Sequence, residues 1–302
     1  MVVTLLLSRI VWLSKKMTVR SRARNVYIRN EANPLAVKMV VVEVKGERLE
    51  VFDCHTHMLG GALFVESTGI CKFMGKDMVK GMDAVGVDRV VTFAAAQPST
   101  DYSKANATIV KEMNKYPKRI YGFARVNPNF GPERTKKIID TYVGKMGMYG
   151  IKLHSWRDGY EIGSRPLVGP VFEGARKYKV PILIHTGEYL PSPTVAADIA
   201  SEYPEVQVIL AHMGYWHWWE DAIIAAKRYE NIFLDMAAVV GWMHPLNVAI
   251  KRLGAEKILF GSDYPYQPLE KEVEIITKYV EATVVEKKLI LAGNLKRILK
   301  IK

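Results

Sequence analysis

Cysteine is nearly absent: Cys54 and Cys71 are the only two in 302 residues. With no CxxC spacing, neither a thiolate zinc site nor a redox pair is available, and two thiols build no disulfide framework. Both are expected to be reduced, which points to the cytoplasm. No GxGxxG or P-loop stretch occurs, so a nucleotide fold has no anchor. Long apolar runs are missing too. The opening MVVTLLLSRIVWL is short and interrupted by Arg9, so it does not suit a bilayer span. Its charges follow the apolar run and no small-residue cleavage site is evident, so no signal peptide is expected. Histidine is scarce, at seven residues.

What is present is ample apolar material and an excess of basic charge. Hydrophobic residues make up 49% of the chain, enough to bury a large core. The net charge of +12 is concentrated at the front: residues 1–38 hold eight Lys or Arg against Glu31 alone, +7, leaving +5 for the rest. The front segment reads as an appendage, or as sequence ahead of a start at Met17 or Met39, rather than a membrane-surface or RNA-binding arm. Residues 51–302 show no basic stripe interleaved with aromatics, so neither nucleic acid nor membrane is an expected partner. A small-molecule substrate is.

The stretch VFDCHTHM at 51–58 sets His55 and His57 one residue apart behind an apolar run. On a strand, positions i and i+2 share a face about 7 Å apart, so two imidazoles could converge on one ion. Alternation aims Cys54, between them, the other way, as a small core residue. From there the chain alternates short β-rich runs (VFDCHTH, VDRVVTFAA, RIYGFARVN, YGIKLHS, VPILIHTG, VQVILAHMG, NIFLDMA, KILFGSDYP) with amphipathic helical segments. Strands alternating with helices predict parallel βαβ units, and eight of them predict a (β/α)8 TIM barrel. LEKEVEIITKYV and VVEKKLILAGNLKRILKI add extra C-terminal helices. The expected domains are a basic N-terminal extension, 1–38, and a metal-dependent barrel, 39–302, opened by the lead-in strand or hairpin MVVVEVKGERLE.

Barrel active sites lie at the C-terminal ends of the strands. His55 and His57 close the first strand, His154 the fourth, His185 the fifth, His212 the sixth and Asp263 the eighth, so five of the seven histidines fall at one end. His55, His57, His185 and Asp263 offer three nitrogens and one oxygen to a single divalent ion, with zinc the first expectation and manganese or iron suiting the same donors. Such an ion lowers the pKa of its water to about 7. Asp263 could take that water's proton, His212 could polarise a substrate carbonyl or shuttle a proton, and His154 could contact substrate.

HTH, ILIHTGE, VILAHMG, LFGSDYP and the late AGNLKRIL, in this order over roughly residues 51–301, resemble the amidohydrolase superfamily, in its amidohydrolase-related branch of hydrolases and nonoxidative decarboxylases. The resemblance implies a mononuclear site of His55, His57, His185 and Asp263 with His212 catalytic, and it allows a homodimer. It also draws attention to Lys152 in GIKLH, because binuclear members carry a bridging group there; one metal remains the expectation. The expected activity is hydrolysis of an amide, ester or lactone. The alternative is nonoxidative decarboxylation on the same ligands, which a carboxylate clamp would favour; Arg157 is the first candidate for it and Arg125 another, though each also suits a structural ion pair. Tyr215, Trp216, Trp218 and Trp219 either line the pocket mouth or pack the sixth loop. His217 and His244 read as loop or cap residues. A binding protein with a basic arm is the reading from another class, and residues 51–302 lend it nothing.

Overall fold

The computed structural model describes residues 41–58, 72–97, 99–187, 192–239 and 243–302. The extension 1–38 and Cys71 lie outside them. Residues 39–302 form one compact unit. It opens with the expected hairpin, β1 (Val42–Val44) and β2 (Glu47–Leu49), paired antiparallel. Lys45 and Gly46, both at positive φ, make the two-residue turn, the backbone hand that matches strand twist.

Eight strands follow: β3 (Phe52–Met58), β4 (Arg89–Ala94), β5 (Ile120–Arg125), β6 (Gly150–Leu153), β7 (Ile182–Ile184), β8 (Val208–Leu210), β9 (Ile232–Asp235) and β10 (Ile258–Leu259). They lie side by side in chain order, every pair parallel. The last and first segments meet through Cys54 N–H to Phe260 O (2.9 Å), Asp263 N–H to His55 O (2.8 Å) and His57 N–H to Tyr264 O (2.8 Å). The fold is a TIM barrel.

Period-two alternation divides the strand side chains between two cores. Ile182, Ile184, Val208, Leu210, Ile232 and Leu234 pack outward against helices, while Leu183, Ile209, Phe233 and Leu259 fill the interior with Phe93 and Phe123. Gly150 makes room for one of these rings, since a Cβ there would stand 2.6 Å from Phe123. The C-terminal helix Asn294–Leu299 sends Leu295, Ile298 and Leu299 into the interior cluster, so the added helices are part of the barrel core. Among the described residues no helix is long and apolar enough to cross a membrane.

The first strand departs from simple alternation. A register shift between Asp53 and Thr56 marks a bulge, and a bulge re-aims the side chains that follow it. Phe52 and Cys54 join the interior cluster, yet the next residue, His55, also faces inward, with its ring 5.0 Å from that of Phe93. Cys54 is the buried core residue expected, but it shares the inward face with the histidines because the bulge resets the alternation.

Candidate metal centre

Three of the expected side chains converge. His55, His57 and Asp263 bring one ligand atom each within 4.8 Å of one another, all buried. His57 Nε2 lies 2.9 Å and His55 Nε2 3.3 Å from the same oxygen, Asp263 Oδ1. Asp263 reaches this position from a left-handed backbone, φ 64°.

Hydrogen bonding fixes what His55 offers. Its Nδ1 lies 2.8 Å from Asp235 Oδ2, and because a carboxylate only accepts, the proton sits on Nδ1 and the lone pair on Nε2. That lone pair faces the Asp263 oxygen across 3.3 Å with no hydrogen bond of its own. Two acceptors in contact repel unless a cation or proton lies between them. Donors about 2.0–2.2 Å from a shared ion stand roughly 3 Å apart, so this edge has the spacing of a metal's coordination shell. The donor set therefore fits a divalent cation, with His55, His57 and Asp263 as the residues that would hold it.

Asp235 was not singled out from the sequence. It closes IFLD on the face of Phe233, so the rule that picked out the other strand-end polar residues also covered it. Besides His55 it serves His212, whose backbone N–H donates to Asp235 Oδ1 at 2.9 Å. His55, His212 and Asp235 form a second group with ligand atoms within 4.8 Å. His185 belongs to neither group; its Nδ1 lies 3.0 Å from His212 Nε2. His154 stacks on His185 at 3.7 Å and accepts the Arg157 N–H on Nδ1 at 3.4 Å, starting the short helix Ser155–Asp158.

His212 occupies a constrained segment. His212, Met213 and Tyr215 all have positive φ, as does Gly214 between them, a backbone that costs energy for residues with a side chain. The segment packs closely on Gly187, where a Cβ would stand 2.5 Å from the Gly214 carbonyl carbon, so only glycine fits there. Tyr215 stacks on the His212 ring at 4.3 Å, and Trp216 and Trp219 line a crevice with His212. His212 Nδ1 lies 2.9 Å from the Ala237 carbonyl, so its proton is committed there and Nε2 carries the lone pair.

Burial sets the charge states. It holds His55, His57, His154 and His185 well below the usual imidazole range and brings His212 down to about 4. All five are neutral at pH 7, the form that ligates metals. Burial pushes Asp263 up to about 6, and a bound cation would draw it back down. Lys152, fully buried with Nζ 4.7 Å from the centre of the Phe93 ring and without a hydrogen bond, is lowered to about 7 by burial. Arg125 is a structural pair: fully buried, it reaches both Asp158 oxygens at 3.3 Å and the Ala94 carbonyl at 3.1 Å. The charge of Arg157 reaches Tyr266, whose ring edges against His57 at 4.9 Å.

A protein-family profile described as "Amidohydrolase" matches residues 52–301, most of the chain and every residue of this centre. The chain belongs to the amidohydrolase family. It is similar to the gamma-resorcylate decarboxylase of Polaromonas sp. (strain JS666 / ATCC BAA-500), 24% identical over 257 residues, 64% of this chain and 77% of that protein. Among solved structures, this chain resembles a 5-carboxyvanillate decarboxylase from Sphingomonas paucimobilis with TM-score 0.68 and 17% identity, over 84% of this chain and 100% of that one. It also resembles a dihydroxybenzoic acid decarboxylase from Polaromonas sp. JS666, solved with manganese and the inhibitor 2-nitroresorcinol, with TM-score 0.66 and 17% identity, over 83% and 97%.

Proposed function

We propose that this enzyme is a metal-dependent nonoxidative decarboxylase of small carboxylated, hydroxylated aromatic acids. The hydrolase expectation is corrected: the relatives it resembles in sequence and in fold are decarboxylases of such acids. The observation that carries the reading within the site is the committed proton of His212. An oxyanion needs an N–H aimed at it, and the Nδ1–H of neutral His212 is aimed at Ala237 O instead. The Nε2 lone pair faces His185 Nδ1 at 3.0 Å, so neither ring nitrogen presents an N–H to a developing oxyanion, and a phenolic hydroxyl, donating to Nε2 in place of His185, suits the ring better.

The reaction exchanges one bond for another: the ring-to-carboxylate carbon bond breaks, CO₂ leaves, and a proton takes its place on the ring carbon. His55, His57 and Asp263 would hold a divalent cation, whose charge would orient the anionic substrate. Manganese is the ion to test first, with zinc as the alternative. His212 Nε2 would exchange its contact with His185 Nδ1, 3.0 Å away, for the hydrogen bond of a ring hydroxyl, and Tyr215 stacked on it fixes the imidazole plane. Asp263 Oδ1 faces both histidines, which leaves Oδ2 as the oxygen that would take up a proton from solvent and deliver it to the ring carbon as CO₂ leaves. Tyr266 edges the His57 side, and Arg157, whose charge acts on Tyr266, would attract the substrate carboxylate.

The test is to strip the protein of metal, restore manganese, and follow carboxyl-labelled hydroxybenzoates for CO₂ release, with esters and lactones assayed in parallel. Manganese-dependent release of labelled CO₂ is expected. Metal-dependent ester or lactone cleavage without CO₂ release would return the assignment to hydrolysis.

A further inference from the structure

Asp53 is fully buried at the start of β3, outside the ligand set. Its Oδ1 accepts two backbone N–H groups: that of His55 on its own strand at 2.9 Å, and that of Ser262, next to Asp263, at 3.1 Å. These are the two segments that close the barrel. One carboxylate oxygen thus ties together the backbones carrying His55 and Asp263, whose facing atoms are 3.3 Å apart.

The bulge explains why a side chain is needed. With the register shifted between Asp53 and Thr56, His55 has no ladder partner on β4, and a buried N–H left unpaired is costly. Asp53 supplies the acceptor, and the same oxygen reaches across the seam. On the far side Asp263 holds a left-handed backbone at φ 64°, a conformation that persists only where its surroundings impose it.

We propose that Asp53 is a positioning residue for the metal centre: by accepting the His55 and Ser262 amides on one oxygen, it sets the spacing between His55 Nε2 and Asp263 Oδ1 and with it the cation affinity of the site. This rests on the reading that His55, His57 and Asp263 hold a divalent cation. The mechanism is one of acceptor geometry, so an amide oxygen serves as well as a carboxylate. Serine at 53 can cap the His55 N–H locally, as hydroxyls do two residues on, but falls short of Ser262.

The experiment titrates Mn²⁺ into metal-stripped full-length wild type, Asp53→Asn, Asp53→Ser and Asp53→Ala by electron paramagnetic resonance, with circular dichroism of each stripped protein. Asn is expected to bind within about threefold of wild type, while Ser and Ala bind about 10- to 100-fold more weakly with unchanged dichroism, the loss typical of a group that orients metal ligands. Wild-type affinity in Ser and Ala overturns the proposal alone, as does an Asn variant as weak as Ala, which would assign the effect to charge. If Ser and Ala both fail to fold, Asp53 belongs to the fold rather than to the centre. A wild type that binds no Mn²⁺ overturns the proposal together with the metal reading.

Discussion

At the scale of the residue, protonation is decided by which partner holds each ring nitrogen. Asp235 keeps the His55 proton on Nδ1. Its other oxygen accepts the backbone N–H groups of His212 and Ala237, both at 2.9 Å. In Asp235→Asn the amide oxygen is drawn to those two N–H groups and the NH₂ turns toward His55, forcing the His55 proton onto Nε2. Mn²⁺ affinity, measured by calorimetry, should fall about 10- to 100-fold. His212 lies beyond the His55–His57–Asp263 group, so His212→Asn should keep its metal, read as equivalents per chain, while kcat for decarboxylation drops by about 10²- to 10⁴-fold.

At the scale of the element, the helix Leu269–Glu274 carries a strain of its own. Glu272 is fully buried with neither carboxyl oxygen hydrogen-bonded, and burial, helped by the charge of Asp53, pushes it up to about 9 from 4.5. Between those two pH values the folded protein binds a proton that the unfolded chain does not, so this group lowers stability as pH rises through the window. Glu272→Gln removes the titration. The melting temperature of the metal-free variant should exceed that of wild type by more at pH 8 than at pH 5. The strand β6 supplies the opposite test, of crowding. Gly150→Ala would drive a methyl into the Phe123 ring, 2.6 Å away, and should cost about 1–3 kcal/mol in denaturant unfolding.

At the scale of the whole molecule, residues 39–302 are proposed to be sufficient for folding and catalysis, since they form one compact unit containing the complete barrel and centre. Removing residues 1–38 should leave the melting temperature and manganese-dependent activity unchanged, while a loss of either would make the basic segment part of the enzyme. The order of strands and the strand ends bearing histidine were legible in the sequence because both are periodic, local properties: inward and outward residues alternate, and a polar residue closing an apolar run marks the open end of a barrel. Asp235 obeys the same pattern at the end of its own strand. What the sequence by itself determined is the barrel, its eight strands, and the gathering of His55, His57, His154, His185, His212 and Asp263 at one end. Only the tertiary structure decided which atoms meet. A bulge that local alternation does not encode turns His55 inward, and Asp53 closes the seam with a residue more than 200 positions away. The proton of His212 goes to a carbonyl on another strand's loop, because hydrogen-bond partners are set by distance in space and not along the chain.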